Sequence, residues 1–488
     1  TPAKSSYMPS NSAQNDSVPA LEMLQYQDEF LRRHIGPGDV QIAEMLRELG
    51  LESLQQLIVE TIPSSILSNK PISLPDPIPE SEALAKLKSI AAKNKQSRSF
   101  IGLGYYDTYT PNVILRNVLE NPGWYTAYTP YQPEISQGRL ECLLNFQQMT
   151  LDLTAMDLAN ASLLDEATAA AEAMALAKRT SKNRNANIFF VHENCFPQTI
   201  DVIRTRAECF GFELVIGGIE DINAEGLFGA IFQYPSMLGD ATDFTEIIAI
   251  LHKHNAIAVV AADLMSLSLL KPPGEMGADV VTGSTQRFGV PMGYGGPHAA
   301  YFATKDEYKR AVPGRIIGVS VDARKKLAFR MALQTREQHI RREKANSNIC
   351  TSQVLLANIA ALYAMYHGPT GIKKIADRIH RLTAILANGL ESAGLSVVNK
   401  NYFDTLTINI ADNQVQALIE RTNLAGINLR MDRLTDHGTI GVSLDECTTR
   451  LDIERLWQVL LGKDSKKLSI STIDGAIAQG NIAPVIPV

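Results

Sequence analysis

The chain has 488 residues, 45% of them hydrophobic, and 46 Lys plus Arg against 52 Asp plus Glu leave a net charge of −6. This is a globular composition, long enough for two or more domains, and an acidic balance without a basic block argues against a nucleic-acid partner while leaving small anionic substrates open. No apolar run reaches the roughly 18 residues of a membrane span, and five widely spaced cysteines without a C-x-x-C pair suggest neither a disulfide framework nor a zinc site.

Residues 1–20 are rich in Ser, Asn and Pro and are expected to be a disordered tail, since they offer little apolar surface to offset ordering entropy. They contain no signal-peptide core, and the opening Thr1 in place of Met is read as a processed or partial chain. Residues 21–95 are expected to form a helical arm: a helix stopped at Gly36-Pro37, a second with Ile42, Met45 and Leu46 on one face, a third over SLQQLIVETIP, and a fourth over SEALAKLKSIAAKN. Residues 96–340 are expected to form a large α/β domain. There, apolar runs such as NIFFVHE, FGAIFQYP, AIAVVAAD and ADVVTGS alternate with amphipathic helices, the pattern of a mostly parallel sheet covered on both faces. Residues 341–462 are read as long helices leading into a small α+β domain, and 463–488 as a linker that packs against nothing.

Ligands of such sheets sit at the carboxyl ends of the strands, which directs attention to Asp263 and to the loop after ADVVTGS. FIGLGYYDTYTP, residues 100–111, gathers Tyr105, Tyr106 and Tyr109 behind two glycines, either as pocket walls with hydroxyl donors or as a buried aromatic corner. TAYTPYQPEISQGRLE, with Arg139, reads as a structural loop. SLLDEATAAAEAM starts a helix whose N-terminus suits a phosphate, but Asp165 and Glu166 would repel one, so a capped helix start is expected. DVVTGSTQRFGVPMGYGGPHA stands where a pyridoxal phosphate enzyme of the aspartate-aminotransferase type carries its Schiff-base lysine, yet Gln286 and Arg287 occupy the place and cannot hold the cofactor covalently. In ALQTREQHIRREKANSNICTSQ the charged run, with Arg336, is a solvated face. Cys350, near a helix N-terminus whose dipole lowers a thiol pKa, is the redox candidate. No histidine pair has metal-binding spacing.

These segments, together with DEFLRRHIGP, resemble the P-protein family of the glycine cleavage system, and the resemblance runs from about Leu21 to the C-terminus. It corresponds to the N-terminal half of that protein, which occurs as one long chain or as two subunits. One departure is Ala167, where the family usually has Gly. The resemblance implies a pyridoxal phosphate fold of type I with a small C-terminal domain, and decarboxylation of glycine with transfer of the aminomethyl group to the lipoyl arm of the H-protein. It further implies that the cofactor is bound by the C-terminal half. This chain alone is expected to be inactive, with Gln286 at the lysine position and Asp263 structural. Tyr105 and Tyr106 would be lent to the cleft, and Arg139 or Arg336 would line its entrance. The assembly would be a dimer of full chains or an α2β2 complex in a bacterial cytoplasm, or in a mitochondrial matrix after transit-peptide removal. A self-sufficient enzyme using another lysine, such as Lys271, and a non-catalytic scaffold remain open as alternatives.

Overall fold

The computed structural model describes residue 21 and residues 29–34, 36–68, 70, 72–333, 338–345, 353–432 and 438–480. Residues 1–20 and 481–488, Arg336 and Cys350 lie outside these, and with them the expectations placed on them. The chain divides into two compact units, residues 1–96 and 97–488.

The first unit carries four helices at the places the apolar spacing predicts, Glu29–His34, Asp39–Leu49, Leu54–Thr61 and Glu80–Ala91. Their boundaries have local causes. Ser53 accepts a hydrogen bond from the Gln56 N–H and starts the third helix, and Gly50, left-handed at φ 68°, ends the second. On the second helix Leu46 is buried while its neighbour Met45 is exposed.

The second unit opens with β1 (Arg98–Phe100) and builds a seven-stranded sheet from β2 (Leu158–Ala159), β3 (Ile188–His192), β4 (Glu213–Gly217), β5 (Leu227–Tyr234), β6 (Ile257–Ala262), β7 (Val280–Ser284) and β8 (Ala300–Thr304). The strand order is β2-β8-β7-β6-β5-β3-β4. Strands β3 to β7 pair in parallel, and β8 runs antiparallel between β7 and β2. Every residue of β5 and β6 is buried, as continuous apolar runs covered on both faces require. The helix Glu166–Thr180 approaches closely because its inner face is alanine: a Cβ added to Gly229 of β5 would sit 3.0 Å from the Ala177 Cβ.

Strands β9 (Ile316–Val321) and β10 (Leu327–Ala332) form an antiparallel hairpin that sequence reading did not anticipate. Its Val319, Val321 and Leu327 are exposed, so the alternation that marks a half-buried strand is blurred. The long helix Gln353–Ser392 breaks at Gly368 (φ 63°) before Pro369, giving the two helices expected there. Beyond it β11 (Thr405–Asn409), β12 (Ile427–Asp432) and β13 (Thr439–Ser443) complete a small sheet with β1, in the order β1-β12-β13-β11.

Two expectations are corrected. The division into 96–340 and 341–462 does not separate compact bodies, because β1 pairs in parallel with β12 and one apolar core runs through both parts. The supposed linker from Lys463 carries the helix Ile470–Ala478, which Ser469 caps. Ile470 and Ile477 are buried, and Asp474 pairs with Arg381 at 2.9 Å. Its apolar stripe is three isoleucines in nine residues, a short signal beside a lysine-rich turn. Among the described residues no helix is long and apolar enough to cross a membrane.

Candidate functional site

Loop 101–111 lies over the carboxyl ends of the parallel strands, and its backbone explains why the glycines are there. Gly102, Leu103 and Gly104 all have positive φ, at 71°, 59° and 89°. A Cβ on Gly102 would sit 2.1 Å from the Ser443 hydroxyl. The loop is then fastened residue by residue. Gln198 Nε2 donates to the Leu103 carbonyl at 2.7 Å, the Asp107 N–H to Asp445 at 3.2 Å, and the Tyr109 N–H to Glu446 at 3.0 Å. The Thr108 hydroxyl donates to Glu446 at 2.7 Å, and the Thr110 hydroxyl to the Gly289 carbonyl at 2.7 Å. Arg98 pairs with both Asp107 and Asp445.

Tyr106, Gln286, Arg287 and Asp263 come together at the end of β6 and β7. The Gln286 side chain, 1% exposed, accepts from the Tyr106 N–H at 2.9 Å and donates to the Tyr106 carbonyl at 2.8 Å and the Val290 carbonyl at 2.7 Å. Arg287 Nη1 donates to Asp263 Oδ2 at 2.6 Å and to Asp404 Oδ2 at 2.7 Å, and the guanidinium lies 3.8 Å from the centre of the Tyr106 ring. Burial works against the Arg287 charge, but the two carboxylates outweigh it and hold the guanidinium protonated. Two acids share one cation, so Asp263 is pushed above the usual carboxylate range, first by burial and then by Asp404, against the pull of Arg287. Burial, with Asp404 adding to it, raises the Tyr106 phenol far above its ordinary value.

Tyr105 points elsewhere, into a small cleft lined by Glu166, Gln198, Ser284 and His298. It is 42% exposed and meets the His298 ring edge-on at 5.2 Å. The helix behind it starts as expected, with Asp165 accepting from the Thr168 N–H at 2.7 Å. Glu166 turns inward and accepts from the Ser284 N–H at 3.3 Å. Burial outweighs that bond and pushes its carboxyl up to about 7.

Arg139 is not joined to this group. Its guanidinium donates to the Tyr128 carbonyl at 2.6 Å and the Ser136 hydroxyl at 3.0 Å, bracing the turn before its own helix, and burial lowers its pKa. Arg287 and Asp404 are the residues sequence reading missed. Arg287 was visible only as a non-lysine, and Asp404 lies 117 positions away from it in the chain, with no local signal beyond an acid at the start of an apolar strand. Among the described residues no three His, Cys, Asp or Glu side chains are grouped to hold a metal ion.

The sheet order, with one reversed strand and a site at the strand ends, is the architecture of the fold type I pyridoxal phosphate enzymes. A sphingosine-1-phosphate lyase from Burkholderia pseudomallei shares that fold at a TM-score of 0.60 and 13% identity, over 85% of this chain and 97% of that one. The crystal structure of a glycine decarboxylase (P-protein) of the glycine cleavage system, in inhibitor-bound form, matches at a TM-score of 0.77 and 33% identity, over 88% of this chain and all of that one. Residues 32–460 match the family model of the glycine cleavage system P-protein, and the chain belongs to that family. It is 59% identical to glycine dehydrogenase (decarboxylating) 2 of Pseudomonas fluorescens, over 95% of this chain and 48% of the relative. It is 60% identical to glycine dehydrogenase (decarboxylating) of Stutzerimonas stutzeri over the same shares. The chain thus spans about half the length of the curated relatives it matches.

Proposed function

We propose that this chain is the N-terminal half of a glycine dehydrogenase (decarboxylating) and does not itself hold the cofactor. In this reading a C-terminal half binds pyridoxal phosphate and glycine, and the aminomethyl group left by decarboxylation passes to the lipoyl arm of the H-protein. The chain acts in a bacterial cytoplasm as part of a dimer of full chains or an α2β2 complex.

The observation that carries the reading is Gln286. An amide forms no imine with a cofactor aldehyde, and here both its oxygen and its nitrogen are engaged by the protein. Two features point the same way. Asp263, at the place of the acid that would face a pyridine nitrogen, is paired with Arg287, which is itself stacked on Tyr106. The helix start that would offer N–H groups to a phosphate bears Asp165 and Glu166, the first already bonded to it. These residues do not fit pyridoxal phosphate, and no chemical step is routed through it here.

What this chain supplies is shape, donors and exclusion of water. Tyr105 presents a half-exposed ring and hydroxyl to the shared cleft, and Tyr106 lies buried next to it in the chain, stacked on Arg287. Arg139 braces the turn before its own helix and is not counted among the residues lent to the cleft. The test is to incubate the purified chain with pyridoxal phosphate, reduce with borohydride and record the intact mass, then assay glycine–bicarbonate exchange with and without the C-terminal half. No adduct on this chain and exchange only on mixing are expected; a stoichiometric adduct on one lysine here overturns the reading. In the mixed enzyme Tyr106→Phe is expected to lower exchange about tenfold or more, and undiminished exchange removes the Tyr106 hydroxyl from the site.

A further inference from the structure

The loop bearing the two tyrosines is not held by its own sequence. Three consecutive residues sit at positive φ, one of them Leu103, where a side chain costs roughly 1 kcal/mol. The single turn bond inside it, from the Tyr105 N–H to the Gly102 carbonyl, is 3.3 Å long. Its conformation is therefore imposed by contacts from outside, and at the Tyr106 backbone the hydrogen bonds come from one side chain. The Gln286 amide takes the Tyr106 N–H on its oxygen and gives an N–H back to the Tyr106 carbonyl, as a neighbouring strand would, while its second N–H goes to the Val290 carbonyl of its own loop. All three bonds are buried, where an unmade one costs about 1–3 kcal/mol.

The chemistry restricts what else can stand there. A lysine donates but cannot accept, a carboxylate accepts but cannot donate, and a methionine of similar length does neither. The primary amide of Gln286 answers both backbone groups of Tyr106, its N–H and its carbonyl, and still has an N–H for Val290. We infer that Gln286 is a positioning residue. It clamps the loop so that Tyr106 stacks on Arg287 and Tyr105 faces the cleft, and the place expected for a covalent cofactor link has become the fastening point for residues lent to another site. The inference deepens the proposed function and rests on it for the role of the tyrosines, though not for the clamp itself.

The experiment uses Gln286→Met and Gln286→Glu in the whole chain, alone and mixed with the C-terminal half. Hydrogen exchange of the amides in loop 101–111 is read first, because it needs no activity. Gln286→Met is expected to speed exchange at Tyr106 about tenfold or more, the loss of one buried hydrogen bond, while β5 and β6 stay protected. Gln286→Glu, which keeps the acceptor for the Tyr106 N–H, is expected to fall between. In the mixed enzyme Gln286→Met is expected to lower kcat with KM little changed. It should add less than about twofold in a Tyr105→Phe, Tyr106→Phe background, since contacting residues acting through one another are not additive. Unchanged exchange at Tyr106, or equal losses in both backgrounds, overturns the clamp. If Gln286→Met does not fold, Gln286→Glu decides the same two readouts. A mixture that never shows glycine exchange refutes the proposed function and leaves the hydrogen-exchange result to decide the clamp.

Discussion

Two aspartates, Asp279 buried and Asp263 largely so, sit at opposite ends of the same sheet and are treated in opposite ways. Asp279, at the amino end of β7, receives His252 Nε2 and the Ala258 N–H on one oxygen, each at 2.8 Å, and Lys305 Nζ on the other at 2.5 Å. Burial would push its pKa up, but these donors win and hold it below the usual range. Asp263, at the carboxyl end of β6, shares Arg287 with Asp404 and has Glu166 contributing further negative charge nearby, and the carboxyls of both Asp263 and Glu166 are raised. At the amino end the charge of Asp279 is answered, which is what a fold needs. At the carboxyl end acid is in surplus, and a surplus in a poorly screened interior is retained at a cost to stability.

The sharpest way to break that contrast is to remove the cation. Arg287→Met leaves Asp263 and Asp404 facing each other unpaired and strips the ring stack from Tyr106, and it is expected to cost roughly 3–5 kcal/mol in urea unfolding. Adding Asp404→Asn should return part of it. A loss under about 1 kcal/mol would show that the trio is not the tightly balanced group described here. At the other end Asp279→Ala is expected to cost about 2–3 kcal/mol by leaving buried donors unmet, with exchange activity of the mixed enzyme unchanged wherever it stays folded. Because the folded pKa of Asp279 is depressed, its contribution is present above the ordinary carboxylate range and disappears as pH falls through the folded value. The gap between wild type and variant should therefore close in acid.

The smallest effect has the opposite sign. Glu166 has a folded pKa of about 7 against 4.5 unfolded, so it costs nothing in acid and progressively more as pH rises toward 7. Glu166→Gln, which keeps an acceptor for the Ser284 N–H, should be more stable than wild type at pH 8 by about 1–3 kcal/mol and equal to it near pH 4. Denaturation midpoints at the two pH values check this, and a gap that is constant with pH would place the Glu166 carboxyl in water.

Much of this was legible in the chain itself. Continuous apolar runs announced β5 and β6, the Gly368-Pro369 break divided the long helix, and Asp165 capped its helix as its position required. The hairpin β9–β10 and the helix Ile470–Ala478 were missed because each carries too few patterned residues for periodicity to speak. At the site the sequence displayed the absence of a lysine at Gln286 but not what the glutamine does, since its partners are the backbone of Tyr106, 180 positions earlier.

What the sequence alone determined is the class of sheet, the helix starts and stops, the glycines that free loop 101–111, and the chemistry Gln286 cannot perform. These follow from covalent geometry and from spacings of a few residues, which the chain carries wherever it goes. The pairing of Arg287 with Asp263 and Asp404, the opposite fates of Asp263 and Asp279, and the docking of Tyr106 on Gln286 were decided only by the tertiary structure. A charge or an amide has a definite energy only once its surroundings are dry and its distant partners are in place.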